Sequence, residues 1–209
     1  MTNKPSLLSQ QTLILSFIFT TGLYILLATY VNYQDNIVWN NTLQQYIQNY
    51  NTNALTPLLA TITWIGDKRV LFVLLAVVFL WLIYLRHWRT AILWLSNGFI
   101  CSALIAISKI TINITRPEFL IEPSTLGAFP SGHTALSIAV YGFLAFLIAQ
   151  KLKPPQRYII YIGFALLISL IIASRLLLHM HWLTDILGGS ALGLATLLLS
   201  LFLYQRHSQ

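Results

Sequence analysis

The chain has 209 residues, of which 57% are hydrophobic and only 8% charged. That is about a third of the charged fraction of a soluble domain and too little to clothe a surface in water. The net charge of +7 does not signal a nucleic-acid binder, because Lys and Arg are scattered singly between apolar runs and form no stripe. The single cysteine, Cys101, rules out an internal disulfide framework and reads as small apolar filler.

In chain order, apolar runs fall at about 12–31, 70–85, 90–110, 134–149, 158–173 and 183–204. Each is near the length that crosses the hydrocarbon core, the second and fifth being short. The predicted fold class is therefore all-α: an integral membrane bundle of six transmembrane helices forming a single membrane domain over 1–209. Tyr30, Tyr33, Trp81, Trp88, Tyr158, Trp182 and Tyr204 mark run ends, the interfacial position such rings favour. The first run follows Lys4, but no small-x-small cleavage site follows Ala28, so it reads as a retained helix and not a signal peptide. Trp39, Leu43, Tyr46, Ile47 and Tyr50 recur at helical spacing amid Asn and Gln, which predicts a helix lying in the interface. Residues 54–66 are apolar but too short to span. The favoured reading of 36–66 is a packing element with no catalytic part, and admission of a lipid head group is a weaker one.

Six spans place both termini on one side. Lys4, Arg86, Arg89, Lys151, Lys153, Arg157 and Arg206 then share that side, facing Lys68, Arg69, Lys109, Arg116 and Arg175 across the membrane. All five acidic residues, Asp35, Asp67, Glu118, Glu122 and Asp185, join the second group. The positive-inside rule makes the terminal side cytoplasmic and the other periplasmic or extracellular.

Ionisable residues at membrane edges are costly and mark functional candidates. The outer ones form three groups. In KITINITRP, Lys109 and Arg116 are seven residues apart, so both project from one helix face about 10 Å apart along the axis. They can converge on an anion or simply snorkel, and Pro117 ends the helix. Pro130-Ser131-Gly132-His133 opens the fourth span, where backbone N–H groups, a hydroxyl and the helix dipole attract an anion. An ordinary helix cap beside an interfacial histidine is the competing reading. Ser174-Arg175 ends the fifth span, and His181 and Asp185, four apart, share a face where the sixth begins. Asp185 can hold one imidazole nitrogen and leave the other unprotonated, which makes a nucleophile. Arg175 and His181 would lie out of phase on a continuous helix, so a break is expected around 176–181. His179 suggests a metal site with His181 and Asp185, but no further ligand completes it, and His179 is read as interfacial. The sequon Asn113-Ile114-Thr115 lies inside the cation pair at the membrane edge and is discounted.

Taken together, these segments resemble the three-part signature of the type 2 phosphatidic acid phosphatase family: K-x6-R-P, P-S-G-H and S-R-x5-H-x3-D. Every specified position is present, in order, and the resemblance spans about residues 66–204. It implies a division into an N-terminal span plus interfacial helix (1–65) and a phosphatase core (66–204), with the site at the outer helix ends. It also implies catalytic roles for His181 as nucleophile, Asp185 as its orienting partner and His133 as general acid. Lys109, Arg116, Ser131, Gly132 and Arg175 would bind phosphate, with no metal and no cofactor. Three departures stand out: His179 where relatives often have Gly, Leu183 where Pro is common, and Glu118 where a further Arg is frequent.

The expected activity is hydrolysis of a lipid phosphate through a phosphohistidine, by a multi-pass protein of the plasma (inner) membrane serving lipid metabolism in the cell envelope. Undecaprenyl diphosphate, phosphatidylglycerol phosphate and phosphatidic acid are the candidate substrates, the first slightly favoured. The expected partners are that lipid and the bilayer, with no nucleic acid and no obligate protein partner. Two rivals are a phosphotransferase on the same scaffold and a non-catalytic transport or interaction protein. The second lacks a charged path through the span centres: Asn97 is the main polar exception there, and a helix-packing hydrogen bond explains it.

Overall fold

The computed structural model describes residues 9–34, 37–49, 53–117 and 127–207. Lys4, Asp35, Tyr50, Glu118 and Glu122 lie outside the described residues. Among those described, the chain is all-helical. Its elements are α1 (Gln10–Tyr33), α2 (Val38–Asn49), a 3-10 turn (Asn53–Leu55), α3 (Thr56–Ile65), α4 (Lys68–Tyr84), α5 (Trp88–Thr111), α6 (Gly132–Ala149), α7 (Pro154–Leu177) and α8 (Leu183–His207).

Five of these, α1, α5, α6, α7 and α8, are long and apolar enough to cross a membrane. The sixth predicted span is α4, whose 17 residues rise about 25 Å, at the short end of spanning lengths. α7 runs over 24 residues, well beyond the predicted 158–173. Its helix begins on Pro154 and Pro155, with the Lys153 N–H bonded to the Gln156 side chain, and continues outward through Ser174 and Arg175. The apolar run therefore understated the helix. Lipid-facing side chains are apolar and bare, among them Phe19, Leu15 and Ile159 at 67–70% exposure, as a bilayer solvent allows.

The interior is held by aromatic and aliphatic packing between α4, α5, α6, α7 and α8. Trp94 is fully buried and donates its indole N–H to the Leu75 carbonyl of α4 at 2.9 Å. Asn97 donates to the Ala139 carbonyl and accepts from Ser200, joining α5, α6 and α8 as the packing role requires. Tyr204, predicted as an interfacial ring, instead packs edge-on against Phe146 with ring centroids 5.1 Å apart. Helical phase turns it inward among the core aromatics.

α6 and α8 approach closely at their N-terminal ends. A Cβ on Gly189 would sit 2.6 Å from the Ser131 carbonyl, and one on Gly188 would enter the Phe129 ring. The Ser131 N–H donates to the Asp185 carbonyl at 2.9 Å, so this contact sets the second motif against the third. Gly189→Val should destabilise the protein by about 2 kcal/mol through overpacking. Gly163→Ala, with nothing within 4 Å of its Cβ, should stay within about 0.5 kcal/mol of the parent. Thermal unfolding in detergent compares the two.

Candidate active site

α7 ends at Leu177 and α8 begins at Leu183, leaving the break predicted between Arg175 and His181. His179 makes that turn with φ 53°, a left-handed conformation natural to glycine. His179 is buried at 7% exposure and not interfacial as read from sequence. Its ring turns inward to donate from Nδ1 to Gln44 Oε1 of α2.

His181 stands two residues ahead of α8 and not on its first turn, and it is 1% exposed. Its Nδ1 lies 3.1 Å from Oδ2 of the wholly buried Asp185. That same oxygen accepts the Trp182 N–H at 2.9 Å, so the carboxylate caps the helix and orients the ring together. With Nδ1–H committed to Asp185, Nε2 carries the lone pair. Burial pushes the His181 pKa well below its ordinary value, and the charges of Arg175, Arg116 and Lys109, with His133, add to this. The ring is therefore neutral at physiological pH.

This neutrality has a consequence for stability. The unfolded chain takes up a proton at His181 near pH 6.5, whereas the folded chain does so only at lower pH. Below about pH 6.5 the unfolded state thus binds more protons, and stability falls on acidification. Melting temperature in detergent should drop between pH 7.5 and 5, and His181→Asn should flatten that slope.

The cations converge on the same place. Arg175 is 5% exposed, and its Nη1 donates to Thr63 Oγ1 of α3 at 3.2 Å. Ser174 donates to the same Thr63 oxygen and to the Ile171 carbonyl. Lys109, on the last turn of α5, is half-buried and donates to the Gly127 and Ala128 carbonyls ahead of the second motif. Arg116 is half-buried beyond α5, and Trp182 reaches the neighbouring Thr115 carbonyl at 2.8 Å. The charges of all three act on His181, which favours an anion beside it.

Ser131 caps α6, its buried hydroxyl oxygen accepting from the Thr134 hydroxyl at 3.0 Å and more weakly from the Thr134 N–H. Gly132 opens the helix. His133 follows, with Nε2 3.8 Å from Asp67 Oδ2. Asp67 caps α4 through its other oxygen, accepting the Arg69 N–H at 2.8 Å. All eight predicted site residues thus lie toward one end of the bundle, where α5 and α7 end and α6 and α8 begin.

Four neighbours were not anticipated from sequence: Asp67 beside His133, Thr63 beneath Ser174 and Arg175, and Asn40 and Gln44 of α2 against the His181 loop. The packing role read for 36–66 includes hydrogen bonds from α2 and α3 to the residues around His181 and Arg175. Two signals were available: an acidic residue opening an apolar run, and an amide pair at i, i+4 opposite the α2 aromatics.

The PAP2 superfamily model matches residues 91–209. The chain is 28% identical over 144 residues to phosphatidylglycerophosphatase B of Bacillus subtilis (strain 168), covering 67% of this chain and 70% of that protein. It is 32% identical over 97 residues to a PA-phosphatase related-family protein of Dictyostelium discoideum, covering 44% of this chain but a quarter of that one. Its fold superposes on the crystal structure of a transmembrane PAP2 type phosphatidylglycerolphosphate phosphatase from Bacillus subtilis with TM-score 0.83 and 22% identity, over 91% of this chain and 96% of the other. Aquifex aeolicus LpxE gives TM-score 0.60 and 23% identity, over 80% and 97% of the two chains.

Proposed function

Because the chain belongs to the PAP2 superfamily, we propose that it is a metal-independent lipid phosphatase in which His181 carries the phosphoryl group. The observation that supports this best is the imidazole held 3.1 Å from a buried carboxylate, with the charges of Arg175, Arg116 and Lys109 bearing on it.

The neutral Nε2 of His181 attacks phosphorus as the bond to the lipid oxygen breaks. Its Nδ1–H remains bonded to Asp185, which stabilises the positive charge the phosphorylated ring acquires. Arg175, Lys109 and Arg116 offset the phosphoryl charge, with the Ser131 hydroxyl and the Gly132 backbone N–H as further donors. Phosphoryl transfer asks chiefly for such positioning and neutralisation. His133 protonates the departing lipid oxygen, and Asp67 Oδ2 lies 3.8 Å from its Nε2. Water then attacks the phosphohistidine, His133 accepts its proton, the P–N bond breaks, and neutral His181 and inorganic phosphate result. The positive-inside rule directs this end of the bundle outward from the cytoplasm.

Among lipid phosphates we place phosphatidylglycerol phosphate first, ahead of the undecaprenyl diphosphate slightly favoured from sequence. The bacterial relative named phosphatidylglycerophosphatase B supports that order. Phosphate release by purified protein in EDTA, from these two lipids and phosphatidic acid in parallel, tests the reading. Release that persists in EDTA and is fastest from phosphatidylglycerol phosphate is the expected result. No release from any of them by folded protein overturns the reading.

A further inference from the structure

α2 is amphipathic in an unusual sense. Val38, Trp39 and Tyr46 point outward at 38–73% exposure, the side a membrane interface would take. Asn40 and Gln44, one turn apart, point inward and are each 4% exposed. Packing alone would be met more cheaply by apolar side chains, since a buried amide is costly unless it is fully bonded.

Both amides are bonded, and among the described residues their partners lie in 179–184, the turn that carries His181 and the start of α8. Gln44 donates from Nε2 to the His181 carbonyl at 3.0 Å, and its Oε1 accepts from His179 Nδ1. Asn40 donates from Nδ2 to Thr184 Oγ1 at 2.9 Å, and its Oδ1 accepts the Thr184 N–H at 3.3 Å. That N–H is among the first of α8, which no carbonyl within the helix can serve, so α2 caps α8 from outside.

We propose that Asn40 and Gln44 are positioning residues for the nucleophile. They hold the 179–184 backbone so that His181 presents Nε2 to phosphorus in line. The inference rests on the phosphatase reading and extends it to a helix outside the three motifs. The Asp185 bond sets the His181 ring, and the Gln44 bond to the carbonyl sets the backbone from which the ring projects. His179 holds a left-handed conformation that side chains rarely adopt, and its bond to Gln44 secures it. A displacement of about 1 Å at a reacting atom is enough to cost a hundredfold in rate.

The test uses the full-length protein in detergent with dioctanoyl phosphatidic acid and dioctanoyl phosphatidylglycerol phosphate as probes. Gln44→Ala and Asn40→Ala should each lower kcat by about ten- to a hundredfold, with KM and melting temperature nearly unchanged. Asn40→Asp should recover most of the loss, because its carboxylate still accepts from both the N–H and the hydroxyl of Thr184. Gln44→Met, close in volume, should behave like Gln44→Ala and stands in for it should that variant fail to fold. Hydrogen exchange at residues 178–184 should quicken in the alanine variants, a readout that needs no substrate. A kcat within twofold of the parent, a loss carried by KM, no rescue by Asn40→Asp, or unchanged exchange would each overturn the proposal. An inactive parent with quickened exchange in the variants would instead count against the phosphatase reading while leaving the clamp standing.

Discussion

His181→Ala is expected to reduce turnover by at least about a thousandfold while leaving the melting temperature within a few degrees. The ring lies at the end of α7 and α8, away from the Trp94–Phe143 core that holds the bundle together. Removing it leaves Asp185 Oδ2 bonded to the Trp182 N–H, so the start of α8 keeps its cap. Chemistry loses its acceptor for the phosphoryl group, and positioned cations alone do not replace a nucleophile. A brief incubation with 32P-labelled lipid followed by alkaline quench should trap acid-labile, alkali-stable label on the parent and none on the variant. A labelled His181→Ala, or one that turns over within tenfold of the parent, would sink the phosphohistidine mechanism.

Asp185→Asn is expected to lower kcat by about a hundred- to ten-thousandfold with little change in KM. The amide has almost the shape of the carboxylate but brings a donor and loses the charge. With its oxygen in the place of Oδ2, the amide still faces both Nδ1 and the Trp182 N–H, so the expected loss comes from the missing charge. The positive charge that forms on the phosphorylated ring would lose its buried counter-ion. Stability should change far less than activity, since the side-chain oxygen can still accept from Trp182. Steady-state kinetics with a pH profile decides: a variant whose loss lies wholly in KM would show Asp185 to act in binding and not in orienting the base.

The eight motif residues were legible because they obey local rules. A Ser-Gly pair opening an apolar run is a helix start, and a Pro after Arg116 is a helix stop. His181 and Asp185 at i, i+4 can meet without knowledge of the rest of the chain. Six apolar runs sufficed for the helical membrane class, since lipid leaves the backbone no unpaired alternative. Even there, the polar end turns of α7 escaped notice, because hydropathy sees the apolar run and not the helix.

What the sequence by itself determined is therefore the solvent, the helical class and the chemical kinds of group at one end of the bundle. Only the tertiary structure decided which groups face one another across distant segments. The Asp67 carboxylate stands 66 positions from the histidine beside it, and Gln44 is 137 from the carbonyl it holds. No helical period carries such a pairing. Asn40 and Gln44 read as polar residues on a surface helix until α2 is laid against α8. Thr63 reads as part of a short apolar stretch until α3 meets α7. Their meaning arises from burial, which makes an unbonded amide or hydroxyl too costly and so ties each to the particular partner that packing brings within reach.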